Sequence, residues 1–292
     1  MLVEVVKVDF LAFLPPGLHP GMDALARGLA AGVAERGGEL RLRLGEQTEA
    51  VRASVAEGVD AIFVFVTDPL VPAEAVAEAR SAGVRVYTFH RPCYEVSGSV
   101  LVPNFYQGVA LATCLAKKVG IGGRIAILGG PEILDDEELV SGCLDGAKRA
   151  GLEVLNDPFL REYRNLEDVK GASEQVVRRL MGDCFPFDGL VVFNDETLHD
   201  VVAILEERGL LGAFPIVSRN GSAAAIEWVR KGWTTATLDY GLPEIGRLGA
   251  SLLDGEEPLV MGPAGVLYDR ANVAEFVGWE RRVGDFELKV VD

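Results

Sequence analysis

Three histidines and four cysteines are the residues of this chain best suited to metal or nucleophilic chemistry, and their spacing favours neither. His19, His90 and His199 form no H-E-x-x-H pair. His90 and Cys93 make an H-x-x-C, but no second pair accompanies it, so no metal is expected. Cys93, Cys114, Cys143 and Cys184 contain no C-x-x-C and are too widely spaced for a disulfide framework. No G-x-S-x-G elbow occurs. The glycine-rich run "GIGGRIAILGGP" matches neither the P-loop nor the dinucleotide fingerprint. The acidic run "ILDDEELV" reads as carboxylates favoured by a helix dipole at its start. No nucleophile stands beside a base, so the chain is expected to be neither an enzyme nor a holder of a cofactor.

Other polar groups recur at one kind of place. "GVRVYTFHRP" is an apolar, β-prone run that ends on His90 and Arg91. "AIFVFV" leads into "TDPL", "RIAIL" into "GGPE", "LEVL" into "NDPFLREYR" and "GLVVF" into "NDET". "FPIVS" leads into "RNGS" and "TTATL" into "DYGLPE". The first strand leads into "PPGLHPG". These junctions carry planar amides, aromatics and guanidinium groups, which hydrogen-bond a polar ligand.

The elements that must position them alternate. Strand "VKVDFLAFL" precedes a helix over "GMDALARGLAAGVAERGG", whose Met22, Leu25, Leu29 and Val33 share one face. The cycle continues through strands "LRLRLG", "VDAIFVFV", "VRVYTF", "RIAIL", "LEVL", "GLVVF", "FPIVS" and "TTATL". Helices are expected over 105–119, 136–150, 166–181, 195–208, 222–231 and 243–253, besides those in the first hundred residues. This is the βαβ pattern of parallel sheets. Nine or ten strands are roughly twice the complement of one sheet, so two α/β domains are expected. Polar ligands of such sheets bind at the carboxyl ends of the strands, where these junctions lie.

The 292 residues carry 44 acids against 28 lysines and arginines, a net charge of −16. That charge repels phosphate backbones and argues against a nucleic-acid partner. The start, "MLVEVVKVDF", lacks the basic and long apolar regions of a signal peptide, and no apolar run is long enough to span a membrane.

Five segments in order resemble the type I periplasmic binding proteins, in the ribose- and galactose-binding group related to LacI-type effector domains. They are "VDAIFVFVTDPL", "AGVRVYTFHRP", "VPNFYQGVALATCLAKKVGIGGRIAILGGP", "FDGLVVFNDETLHDVVAILEERG" and "RNGSAAAIEWVRKGWTTATLDYGLPEIGRLGASLL". The resemblance covers roughly residues 5 to 262. It implies two doubly wound parallel-sheet lobes joined by a three-strand hinge, with a ligand cleft between them. Residues 1–103 with 240–265 would form the N-terminal lobe, and 104–239 with 266–292 the C-terminal lobe. The implied hinge crossings fall near 103–104, 238–240 and 265–269.

The resemblance also implies the binding residues. Arg91 is retained from the family's Asp-Arg ending, with His90 in the aspartate's place. Asn194 of "NDET" matches intact. In "RNGS", Asn220 replaces an aspartate and Arg219 an aromatic. Tyr240 stands near a common glutamine, Phe65 replaces an asparagine, and His19 falls at an Asn-Pro. Tyr163, or Arg161, is the candidate from the "NDPFLREYR" loop. Losing two acidic acceptors and gaining basic groups leaves two ligand classes open, a neutral sugar and an anionic sugar derivative. The expected function is a solute-binding receptor serving an ABC permease or a chemosensor, placed outside the cytoplasm by resemblance. A cytoplasmic LacI-type sensor without its DNA-binding head is the alternative, since no leader is evident.

Overall fold

The computed structural model describes residues 5–12, 14, 19–255, 257–284 and 288–291; the "PPGL" of the first junction lies outside the described residues. In chain order the elements are β1 (Lys7–Leu11), α1 (Pro20–Glu35), β2 (Glu39–Arg43), α2 (Gln47–Ala56), β3 (Ala61–Phe65), α3 (Ala73–Ser81), β4 (Arg85–Phe89) and β5 (Gly98–Leu101). Then come α4 (Asn104–Val119), β6 (Arg124–Leu128), α5 (Leu134–Arg149), β7 (Glu153–Val154), α6 (Glu174–Cys184), β8 (Gly189–Val192), α7 (Asp195–Glu207), β9 (Ile216–Arg219), α8 (Ala223–Lys231) and β10 (Ala236–Asp239). The chain ends with α9 (Leu242–Ser251), β11 (Leu259–Met261), β12 (Val266–Asp269), α10 (Trp279–Val283) and β13 (Lys289–Val291).

These elements form two compact α/β units. The first takes residues up to Val102, Gly241–Pro263 and the segment from Trp279; the second takes Pro103–Tyr240 and Ala264–Gly278. The chain therefore passes between units after Val102, Tyr240, Pro263 and Gly278. The last passage corrects the assignment of the tail to the C-terminal lobe. β13 pairs in parallel with β2, and the sheet edge it occupies belongs to the first unit. A three-residue strand after a short helix carries no βα periodicity, so only its pairing partner reveals where it belongs.

The first unit holds a seven-stranded sheet in the order β11-β5-β4-β3-β1-β2-β13. Every pairing in it is parallel. Its central strands are apolar on both faces, as "AIFVF" shows, because helices cover both. Ile62, Val64 and Val86 pack with Val51 of α2 and Val76 of α3. On the other face Phe63 stacks on Tyr87 at 5.0 Å, and Phe10 meets Phe89 edge-on at 5.6 Å. α1 and α9 approach so closely that a Cβ on Gly28 would lie 2.1 Å from the Pro243 carbonyl oxygen.

The second unit holds a six-stranded sheet in the order β12-β10-β9-β8-β6-β7, parallel except for the antiparallel edge strand β12. Leu128, Leu190 and Val192 pack with Val177 and Leu180 of α6 and with Leu198 and Val201 of α7. α4 and α5 close on a glycine seam of their own: a Cβ on Gly142 would lie 2.0 Å from the Phe105 carbonyl oxygen. The helix expected over 166–181 begins only at Glu174. Residues before it form turns, with Asp168 left-handed at φ 54°. Among the described residues thirteen strands replace the expected nine or ten, because β5, β11, β12 and β13 are short strands outside the βα alternation.

One charged cluster is built into the first sheet. Asp9 on central β1 is fully buried and takes a bidentate pair of bonds from Arg41 at 2.7 and 2.9 Å. Arg43 Nε adds a bond at 3.1 Å and Ser54 Oγ one at 2.7 Å. Glu57 completes the charge balance by pairing with both arginines. Asp9→Ala is expected to cost about 3–5 kcal/mol, because it removes counter-charge from a guanidinium only 1% exposed. Urea unfolding at neutral pH measures it; a loss under about 1 kcal/mol would show that the cluster is dispensable.

Candidate functional site

The polar junctions form two groups, one at the carboxyl edge of each sheet. In the first unit, His19 caps α1 and its Nδ1 accepts the Met22 N–H at 3.0 Å. That bond puts any proton of the neutral ring on Nε2. α1 starts here because Pro20 needs no N–H partner in the first turn. His90 follows β4 in the left-handed region, at φ 72°, and is 3% exposed. Its N–H donates to the Val100 carbonyl, and its own carbonyl accepts from Thr88 Oγ1. The ring meets Phe65 edge-on at 5.1 Å. A histidine held at positive φ is a strained conformation that the surroundings must enforce. Arg91 is exposed and makes no ion pair with a described residue.

The second unit builds a denser group. Asn194 caps α7: its Oδ1 accepts the Thr197 N–H at 3.0 Å and its Nδ2 donates to Asp168 Oδ1. Asn165 Nδ2 donates to Thr197 Oγ1 at 2.9 Å. Asn220 follows β9 at φ 114° and donates from Nδ2 to Glu196 Oε2 at 2.6 Å. Gly221 must be glycine, since at φ 76° a Cβ would also lie 2.3 Å from that of Asp239. The Asn220 Oδ1 is buried and has no hydrogen-bond partner among the described residues.

Arg219 ends β9 and is 2% exposed. Its Nη2 donates to Asp135 and to Asp136, the latter at 3.3 Å, and its Nη1 to Asn104 Oδ1 at 3.1 Å. The guanidinium carbon lies 4.8 Å from the Tyr240 ring centroid. Burial works against the charge, but the Asp135 and Asp136 carboxylates outweigh it and hold the guanidinium ionised. Burial also pushes the Tyr240 phenol far above its ordinary value. Beside this group, Asp195 joins three junctions. It accepts from Ser218 Oγ, from Thr237 Oγ1 at 3.0 Å and from the Ser222 N–H at 2.7 Å. Burial, and then the neighbouring Glu196, raise its carboxyl to about 7 against the pull of those donors.

Eight of the nine sequence candidates lie at these edges: His19, Phe65, His90 and Arg91 in one unit, and Asn194, Arg219, Asn220 and Tyr240 in the other. Tyr163 does not join them. It packs into the core against α6, and its hydroxyl donates to Asp183 at 3.0 Å. Arg161 is exposed and lies 3.5 Å from Glu132. The neighbouring residue is the structural one: Arg164 is 4% exposed and donates to the Gly130 and Pro131 carbonyls and to Glu137. Sequence reasoning missed Asp135, Asp136, Asn165, Asp168 and Glu196. The two aspartates do start a helix, as the dipole reading has it, but they are buried to match Arg219. A strand-end arginine after an apolar run was the available signal, because a buried cation needs such a partner.

Arg219→Leu removes the guanidinium that pairs with buried Asp135 and Asp136 and is expected to cost about 3–5 kcal/mol at neutral pH. Part of that loss returns on acidification, as those carboxyls protonate; urea midpoints across pH measure both. Asp195 gives the opposite kind of test. Its folded value lies above the unfolded one, so the folded state binds the extra proton and this group's contribution falls as pH rises from about 4 to about 7. Asp195→Asn should remove that downward slope from the pH profile of stability.

A search of curated protein sequences returned no match. The solved structure of an ABC transporter periplasmic solute-binding protein from Actinobacillus succinogenes 130z, with bound D-allose, superposes with TM-score 0.81 at 19% identity, covering 92% of this chain and 99% of that one. A Caulobacter myo-inositol binding protein bound to myo-inositol gives 0.79 at 18%, covering 94% and 98%. A periplasmic ribose ABC transporter protein from Conexibacter woesei DSM 14684 gives 0.79 at 16%, covering 96% and 98%. At such identities these structures establish the fold. The family model described as the periplasmic binding protein domain matches residues 14–255, most of the chain, and the chain belongs to that family.

Proposed function

We propose that this chain is a solute-binding receptor that captures a neutral polyhydroxylated ligand, a sugar or a cyclitol, and delivers it to an ABC permease by hinge closure. The observation that carries the ligand class is the internal neutralisation of Arg219. An anionic ligand would require the positive charge of Arg219 to be available. That charge is spent on Asp135 and Asp136, two carboxylates for one guanidinium. Glu196 adds a further buried acid at the same edge. An anion brought there would meet a guanidinium already engaged by carboxylates, whereas hydroxyl groups would find acceptors in carboxylates and donors in amides.

The ligand contacts in this proposal are His19, Phe65, His90 and Arg91 from the first unit, and Asn194, Arg219, Asn220, Tyr240 and Glu196 from the second. They bind and orient; none is asked to transfer a proton, and the chain acts without catalysis. D-allose and myo-inositol, bound by two proteins of the same fold, are ligands of this chemistry and support the class. Receptors of this kind work outside the cytoplasm, which is the proposed location. Among the described residues no helix is long and apolar enough to cross a membrane.

Thermal unfolding against neutral sugars, cyclitols, sugar acids and sugar phosphates tests the proposal. A ligand at one hundred times its dissociation constant stabilises the fold by about 2.7 kcal/mol, several degrees for a chain of this size. Neutral polyols should give the shift, and Asn220→Ala should weaken the best of them by about tenfold or more, the loss expected for a hydrogen bond in a buried site. Shifts confined to acids and phosphates would overturn the neutral-ligand assignment. No shift from any small polar solute would overturn the receptor reading.

A further inference from the structure

A second cavity lies in the second unit at the opposite edge of its sheet. It has a volume of about 440 Å³, within the range of small-molecule sites. Its wall comes from the residues just before β9 and just before β10, from the end of β12 and from the last turn of α4. The residues before β9 and β10 lie at amino-terminal strand ends, beside the end of antiparallel β12, whereas Asn194, Arg219 and Asn220 lie at the carboxyl ends of parallel strands. The cavity is therefore separate from the proposed ligand site and owes nothing to that reading.

The chemistry of its wall is specific. Lys118 and Arg270 both line it and both are exposed. Neither makes a hydrogen bond or ion pair with a described residue. Most arginines of this chain are engaged by carboxylates, whereas Arg270 is not, and Lys118 joins it on one cavity. The acid that shares the wall, Asp269, does not serve them: its Oδ1 accepts the Ala271 N–H at 2.7 Å in its own turn. The dipole of α4 accounts for a lysine in its last turn, but not for Arg270. The Arg270 guanidinium lies over Gly232, the left-handed cap of α8 at φ 75°, where no side chain stands between it and the backbone. Lys231, paired with Glu227 at 3.9 Å, lies over the Trp233 ring at 4.6 Å. Trp233, Phe214 and Pro215 supply an apolar wall beside the two free cations.

We propose that this cavity binds a small organic anion, a carboxylate or phosphate monoester on a flat apolar ring, with the anion between Lys118 and Arg270 and the ring against Trp233. Phenyl phosphate carries both features and is the probe. Isothermal titration of the full chain with phenyl phosphate should show one saturable site. Lys118→Ala and Arg270→Ala should each weaken it by about tenfold, as expected for a charge-assisted contact. Both side chains are exposed, so melting temperatures should confirm folded variants. Inorganic phosphate and phenol should each bind more weakly than phenyl phosphate. Asn220→Ala, at the other edge, should leave phenyl phosphate binding unchanged, which separates this site from the sugar or cyclitol site. Absence of a saturable site would overturn the proposal. So would an affinity indifferent to both charge removals, or inorganic phosphate binding as tightly as phenyl phosphate.

Discussion

A guanidinium cannot be buried to 2% exposure in a protein interior unless its charge is matched on the spot, and much of the second unit's carboxyl edge follows from that constraint at Arg219. Two carboxylates have to meet it, and they come from the first turn of α5, where the helix dipole also favours them. Asn104, at the start of α4, closes a third side, and the Tyr240 ring a fourth. One side chain thus ties the ends of β9 and β10 to the starts of two helices. These contacts also settle the state of that cation, because its charge is met within the fold.

The two units handle their strand ends alike in one respect. β4 is followed by His90 and β9 by Asn220, each a non-glycine residue held at positive φ. Such residues persist only where neighbours over-determine them. The Thr88 and Val100 bonds fix the backbone of His90, and the Leu238 carbonyl and Glu196 fix Asn220. In both cases the resemblance implies a family aspartate at that position. Asparagine tolerates the left-handed region better than most residues, and its amide recruits the acid of a neighbouring helix, so acidity lost at one position is supplied by another. The units differ in where their buried charge lies. In the first it is set into the strands themselves, with Asp9 between two arginines on β2. In the second it gathers at the loops. Charge inside the sheet holds strands in register, whereas charge at the loop ends is near where a ligand would arrive.

Much of this was legible in the residues alone. Apolar runs bounded by glycine and polar turns, separated by helical periods, dictate a parallel α/β fold, and their number dictates two sheets, because one sheet rarely holds so many strands. The junctions "HRP", "NDET" and "RNGS" marked strand ends rich in ligand-type groups, since a chain leaving a buried strand must present its next polar residues at the sheet's edge. Tertiary structure decided the rest. Strands of three or four residues have no period to detect, so β11, β12 and β13 emerged only through their pairing. Whether Tyr163 faces a ligand or the core depends on the path of a turn that periodicity does not encode. Above all, a sequence states that an arginine is present but not which carboxylates lie within reach. Arg219 and Asp135 stand more than eighty positions apart, and only folding sets the distance that turns a free cation into a neutralised one.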